Sequence, residues 1–349
     1  MAGIPDRIHN ALIRESINLA RYEAGLRARV LRLLETLGRD LVKELAAAGL
    51  DTPRTDWQRA RLRELLKTAE QRASEVYGEV DALTRKELGG LVEVSADRVV
   101  MGVNKAIGAD LLQNLNWTEE QLAALADENL IFGASSGTWW KRQAVDYAQG
   151  FADQMRMGQL RGEALGDLVK RVRGLQDISR RNAEALVRSS VISTANEAHL
   201  AAYRANADVV DGIEWVSTID HRACLKCSAL DSMAWDLDGK PIQGNTLPFP
   251  GPVAHWSCRC TQVAKTKTWE ELTGVKGLDD IPPGQRASMG GPVSGDTTYQ
   301  GWFDGLDADE QRDILGPGRY EAVKKRGLLL TDLVDQRGNE LTLAELARK

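Results

Sequence analysis

Apolar residues recur at helical spacing through the first third of the chain. Leu19, Tyr22, Leu26, Val30, Leu33, Leu37, Leu41 and Leu45 stand three and four apart, with Arg, Glu and Asp between them. That pattern predicts one long amphipathic helix from about Pro5 to Leu50. Gly49 marks its end and Asp51-Thr52-Pro53 its turn. Thr55 to Gln58 reads as a capping box. It opens a second long helix through Leu62, Leu65, Leu66, Ala69, Ala73, Val76, Val80 and Leu83. The two are expected to pair antiparallel as a hairpin, in a bundle or as a coiled-coil arm. Gly89-Gly90 interrupts the pattern, and 91–115 is moderately helical. Thr118 to Gln121 caps a short helix to about Leu130, and 133–137 (GASSG) is a joint. A helix beginning at Trp139-Trp140 continues through Tyr147, Phe151 and Met155. The paired tryptophans read as an anchor to a core or as a ligand platform. Arg180 to Asn206 is a further strong helix, whose small polar run Ser189–Ala195 suits close helix packing.

The period then changes. Ile213 to Asp220 alternates apolar and polar residues, which predicts a strand. Asp238-Gly239, inside Trp235–Ile242, is a hairpin signal, and Cys260 to Lys265 can pair back onto the first strand. Lys276 to Thr297 is linker by composition. Short helices follow, capped at Asp307 and Thr342. The expected fold class is mainly α: a long N-terminal helical hairpin or bundle, a small zinc-stabilised α+β module and a short helical C-terminal tail domain. The expected divisions are a helical region at 1–132, central helices at 133–206, a β-rich zinc knuckle at 207–268, a Gly/Pro linker at 269–298 and the tail at 299–349.

Composition changes this picture little. The 349 residues are 43% hydrophobic and 27% charged, ordinary for a soluble protein that can hold two or three domains. A formal net charge of −5 argues against a chain that binds nucleic acid by overall charge, leaving local patches open. The N-terminus carries charges where a signal peptide needs an apolar core. No run approaches the roughly 18 apolar residues of a membrane span. A reducing cytoplasm is the expected place of folding.

Chemistry concentrates in one stretch. All four cysteines fall between 224 and 260, as CLKC and HWSCRC. Cys224, Cys227, His255, Cys258 and Cys260 offer five donors to a tetrahedral ion that takes four. The expected ligands of a structural zinc are Cys224, Cys227, His255 and Cys258, with Cys260 as the alternative to His255 or Cys258. A disulfide or a redox pair is the competing reading. The loop between the clusters is rich in Gly, Pro, Asn and Asp, so a cross-link at its base would fix it. The deaminase pattern HxE…PCxxC is absent, and no nucleophile, base and acid stand at recognisable spacing. Lys170, Arg171, Arg173, Arg180 and Arg181 cluster around Gly174, read as a turn. They offer either a DNA-backbone contact or a solvated helix face.

Residues 181–265 resemble the phage Mu F-like family of minor head proteins, also called head morphogenesis proteins. The order carries the resemblance: ALVRSSVISTANEAHLAAYRAN, then EWVSTID, CLKCSALD, a Pro-containing loop and HWSCRCTQV. Ser232 stands where such proteins commonly have Gly after Leu-Asp, and Trp256 where Pro is common after His; neither change removes a ligand. Arg188-Ser-Ser190 replaces the Arg-Thr-Glu step of many relatives. The C-terminal residues look like the tail found in phage members, which extends the resemblance to about 181–349. The N-terminal helices match only in general character. The resemblance implies a virion component of the head interior or portal vertex, passing through the host cytoplasm during assembly. It would assist procapsid assembly, genome packaging or DNA ejection. The implied partners are the portal protein, other head or scaffold proteins and genomic double-stranded DNA. The alternative is a zinc-dependent enzyme, a nuclease or toxin-related transferase. No ExE pair occurs in the chain, and the four histidines are few for a zinc-supported nuclease.

Overall fold

A computed structural model describes residues 4–48, 56–107, 109–273 and 285–348. Helices α1 (Ile4–Ala48), α2 (Asp56–Ile107), α3 (Glu119–Glu128), α4 (Ser136–Arg161) and α5 (Leu165–Ala205) come first. Strand β1 (Val210–Val216), helix α6 (Leu225–Leu230) and strands β2 (Ala234–Asp236), β3 (Pro241–Ile242) and β4 (Thr261–Thr266) follow. Then come α7 (Trp269–Thr273), β5 (Gln285–Ser288), β6 (Gly291–Ser294), α8 (Tyr299–Asp304), α9 (Ala308–Leu315), α10 (Pro317–Arg326) and α11 (Leu343–Leu346). The described residues are mostly helical with a small antiparallel sheet. No described helix is long and apolar enough to cross a membrane. The expected turn at Gly49 to Pro53 and the cap at Thr55 lie outside the described residues.

The chain packs as two compact units, one made of Ala20–Leu91 and Glu119–Val191, the other of Met1–Leu19, Val92–Thr118 and Ile192–Lys349. The region 1–132 therefore contributes to both.

In the first unit the helical stripes become a bundle core. Leu26, Val30, Leu37, Leu41 and Leu45 of α1 are buried, as are Leu65, Ala69, Ala73, Tyr77 and Val80 of α2. Arg61 donates to the Ala48 carbonyl at 2.9 Å, while Tyr22 and Arg29 both reach Glu87 at 2.8 Å. The two helices thus run antiparallel. The Tyr77 hydroxyl lies 2.7 Å from Ser179 Oγ of α5, and its ring 6.4 Å from that of Trp140 in α4. Trp140 is fully buried, so the paired tryptophans serve as an anchor.

Two expected breaks are absent. Helix α2 runs through Gly89-Gly90 and α5 through Gly174. A helical glycine costs only about 1 kcal/mol relative to alanine. Burial of Leu88 and Leu91 beside the first site, and of Val172 beside the second, outweighs it.

The second unit is built on β1, the sheet order being β3-β2-β1-β4 with antiparallel pairing throughout. The expected pairing of the stretch after Cys260 with the first strand is present as β1–β4. The Asp238-Gly239 turn lies between β2 and β3, with Gly239 at φ 84°. The end of α5 reaches β4 and the loop before it: the Tyr203 hydroxyl donates to the Gln262 carbonyl at 3.4 Å and Asn196 Nδ2 to the Pro252 carbonyl at 2.7 Å, and Ala195, Ala198, Ala202 and Tyr203 are buried. Part of the expected linker is ordered as the β5–β6 hairpin, while 274–284 lies outside the described residues. Tyr299, Phe303, Leu315, Tyr320, Leu330, Leu333 and Leu346 share one core with Ile219, and Ala223 and Leu225 pack against it. The C-terminal helices are thereby seated directly on the segment leading into CLKC.

Candidate metal centre

Strand β1 ends at Val216 and the chain turns through Asp220 into α6. Cys224 is the N-cap of that short helix, its Sγ accepting the Cys227 N–H at 3.3 Å. The CxxC spacing therefore does two things. It caps a helix with sulfur and brings both sulfurs to one side of a single turn. The second cluster is shaped by a tight turn, with Cys258 N–H donating to the His255 carbonyl at 3.2 Å and Ser257 at φ 61°. A carboxylate–guanidinium clamp fixes this turn to the first, since Arg259 donates to both oxygens of Asp220 at 2.7 and 2.8 Å.

The five expected donors converge. Cys224, Cys227 and His255 form one group and Cys227, Cys258 and Cys260 another, the ligand atoms of each lying within 4.8 Å of one another. Cys227 belongs to both. Its Sγ is 3.1 Å from His255 Nε2 and 3.7 Å from Cys258 Sγ. A tetrahedral ion with metal–sulfur bonds of about 2.3 Å has sulfur–sulfur edges of about 3.8 Å, so the Cys227–Cys258 edge already fits one. All four cysteines are free thiols, and all but Cys224 are buried. His255 Nδ1 lies 2.7 Å from the Trp256 carbonyl. An N–H there must donate to it, so Nε2 is the ring nitrogen facing the sulfurs, and loss of its proton presents the lone pair a metal needs. His221, the other histidine near the cluster in sequence, packs instead on Trp302 with ring centroids 5.7 Å apart.

The electrostatics are those of a ligand nest. Hydrogen bonding from Cys227, and then the facing His255, pulls the Cys224 thiol down to about 4. Hydrogen bonding from Cys227 also leads in lowering Cys258. His255 is pushed up to about 10 by Cys224 and Cys258. These shifts favour thiolates at Cys224 and Cys258, a protonated ring at His255 and thiols at Cys227 and Cys260. A divalent ion would take the place of those protons, so binding would release protons. Four of the five donors suffice, and the Cys260 Sγ also lies 3.7 Å from Ser217 Oγ.

Supporting residues escaped the sequence reading. Ser217 donates to the Cys227 carbonyl at 2.6 Å. Asp231 accepts from Ser217 N at 2.8 Å and Tyr299 N at 2.7 Å, tying β1 to α8. Ser232 adopts φ 63°, a left-handed conformation that favours glycine and accounts for the glycine expected there. The basic cluster is distributed along α5. Arg171 makes a bidentate bond to Glu163, Lys170 pairs with Asp167 at 2.9 Å and Arg180 with Glu184 at 3.1 Å, while Arg173 and Arg181 are exposed.

Fold and cluster together define a helix-fed α+β module with a thiolate–imidazole centre able to hold one metal ion. Residues 149–263 match the family model described as Phage Mu protein F like protein, so this chain carries a domain of that family. All five donors lie inside the matched span. No curated protein and no solved structure matches the chain. The family points to a role in phage head morphogenesis, among other head proteins and in the virion.

Proposed function

We propose that this protein is a minor head protein that docks at the portal and assists procapsid assembly, genome packaging or DNA delivery. The match of residues 149–263 to the F-like family carries the reading. Its metal centre is structural: zinc is held by Cys224, Cys227, His255 and Cys258, with Cys260 in reserve. Three soft thiolates and one imidazole suit zinc, and a site filled by four protein ligands leaves no open position for catalysis. The ion's task is to hold the Gly/Pro-rich loop 237–254, which contributes few buried side chains of its own.

Co-expression with the portal protein of the same phage, followed by pull-down and sedimentation of assembled particles, tests the assignment. The chain is expected to travel with the portal and with procapsids, and absence from both procapsids and virions refutes it. Metal analysis of the purified chain is expected to find about one zinc, as in single structural sites. Cys224→Ser should lose it and Cys260→Ser should keep it. Zinc retained by Cys224→Ser overturns the ligand set.

A further inference from the structure

The metal centre offers one donor more than a tetrahedral ion takes, and the arrangement of the donors gives the surplus a use. They fall into two overlapping triads, Cys224–Cys227–His255 and Cys227–Cys258–Cys260, with the ligand atoms of each within 4.8 Å of one another. Two three-coordinate ions have six positions to fill. A thiolate that bridges them fills two, so five donors complete both when the shared sulfur, Cys227 Sγ, is the bridge. Four-coordinate ions do not fit this count: a single one leaves a donor out, and a pair with one bridge needs seven donors. The spacing suits three-coordination as well. An ion bound to three sulfurs in a plane, at the usual metal–thiolate distance of about 2.3 Å, sets them about 4.0 Å apart. Cys227 Sγ and Cys258 Sγ are 3.7 Å apart. The 3.1 Å between Cys227 Sγ and His255 Nε2 opens by a few tenths of an ångström for a planar or a tetrahedral ion alike. The all-sulfur triad is buried, while Cys224 and His255 are half-buried and give ions a side from which to enter.

Softness and charge choose the ion. Thiolate-rich sites select Cu(I) among first-row ions, and Cu(I), with a filled d shell, is satisfied by three ligands. Two monovalent ions bring the same total charge into the site as one divalent ion, whereas two divalent ions would bury twice as much. We propose that the nest takes up a pair of cuprous ions bridged by Cys227 Sγ, one held also by Cys224 and His255, the other by Cys258 and Cys260. The pair takes the place of a single zinc ion. Its uptake releases that ion and the remaining donor protons to solvent, and no donor is oxidised. The proposal rests on the donor set of the metal centre, not on zinc being its resident ion.

All four cysteines of the chain lie in this nest, so thiolate-bound copper reports on it alone. The test adds Cu(I), buffered by a competing chelator without oxygen, to the purified full-length protein, and counts copper and zinc after gel filtration. Two copper ions per chain are expected, with any zinc displaced. Cys224→Ser, Cys258→Ser and Cys260→Ser should each fall to one, because each breaks one triad and spares the other. X-ray absorption at the copper edge of the wild-type protein should show three-coordinate copper with a copper neighbour, a readout that holds even if a variant folds poorly. One copper per chain, more than two, two retained by a folded Cys260→Ser, or copper with no copper neighbour overturns the proposal. Zinc content keeps the two readings separate. A wild-type chain that holds one zinc but takes only one copper sinks this proposal alone. A chain purified without zinc that still takes the bridged pair sinks the zinc assignment alone.

Discussion

The clamp between Arg259 and Asp220 is the joint on which the metal module depends, and it can be tested by charge removal. Two charge-assisted hydrogen bonds join the pair at 2.7 and 2.8 Å, with side-chain exposures of 29% and 13%. Such bonds are worth roughly 1.5–3 kcal/mol each when sheltered. Partial exposure and a second cation reduce that, since Arg222 also stands 3.8 Å from the carboxylate and its N–H donates at 2.9 Å. The expected coupling energy is therefore about 1.5–2.5 kcal/mol for the pair. Burial alone would raise the Asp220 carboxyl, but the Arg259 bonds outweigh it and hold it below the usual carboxylate value. A carboxylate depressed in the folded state adds stability above its unfolded value, about 3.9, and loses it as pH falls through the folded value. A double-mutant cycle of Arg259→Gln and Asp220→Asn, followed by urea unfolding, should give the full coupling from pH 7 to about pH 5. It should shrink progressively below about pH 4. Because the metal centre titrates in all four proteins of the cycle, its contribution cancels to first order. A coupling below about 0.5 kcal/mol at pH 7, or one that does not fall with acid, would refute the clamp.

Shorter tests bear on the rest. A Cβ at Gly212 would lie 2.4 Å from the Trp235 carbonyl oxygen across the β1–β2 pair, so Gly212→Ala should destabilise the chain by about 1–3 kcal/mol in urea. Ser232→Gly should stabilise it by about 1 kcal/mol by relieving the left-handed strain, and Gly174→Ala by about 0.5–1 kcal/mol, because α5 is continuous and open there; unfolding midpoints check both. A strong chelator should expose 213–265 to limited proteolysis while helices of the bundle unit resist, since their core holds no metal ligand. Neutralising Lys170, Arg171, Arg173, Arg180 and Arg181 should weaken any DNA binding and flatten its salt slope if the cluster touches DNA; an unchanged slope leaves it a solvated helix face.

How far the fold was legible depends on what each residue's neighbours could show. The α1 and α2 stripes are strong signals because their buried positions repeat over many turns, and the antiparallel pairing follows from two long helices near in sequence. Gly89-Gly90 and Gly174 misled, because a glycine's helical cost is small and local, whereas the burial that overrides it involves residues distant in sequence. The β5–β6 hairpin was hidden in a stretch whose Gly, Pro and Ser content looks like linker. Its link to the module, a parallel bridge from Ser288 to Ile219, is a tertiary fact no local pattern records. The same holds for Tyr299, whose hydroxyl reaches the Asp220 carbonyl at 2.9 Å from a distant part of the chain.

The five donors were legible for the opposite reason: thiols and imidazole are rare side chains, and four cysteines within 37 positions are hard to place by packing alone. Their number still left the ligand set open. Cys227 belongs to both donor groups, which makes it the donor the two share. From its Sγ, His255 Nε2 lies 3.1 Å and Cys258 Sγ 3.7 Å away. Cys224 is already anionic in character and caps α6 beside them. Cys260 is buried beside Ser217, one residue before β4, whose first residue, Thr261, pairs with Val216 of β1. Cys224 and His255 share one group with Cys227, while Cys258 and Cys260 share the other with it. The proposed set takes Cys224, Cys227, His255 and Cys258, and metal analysis of Cys258→Ser beside Cys260→Ser decides which sulfur the ion leaves out.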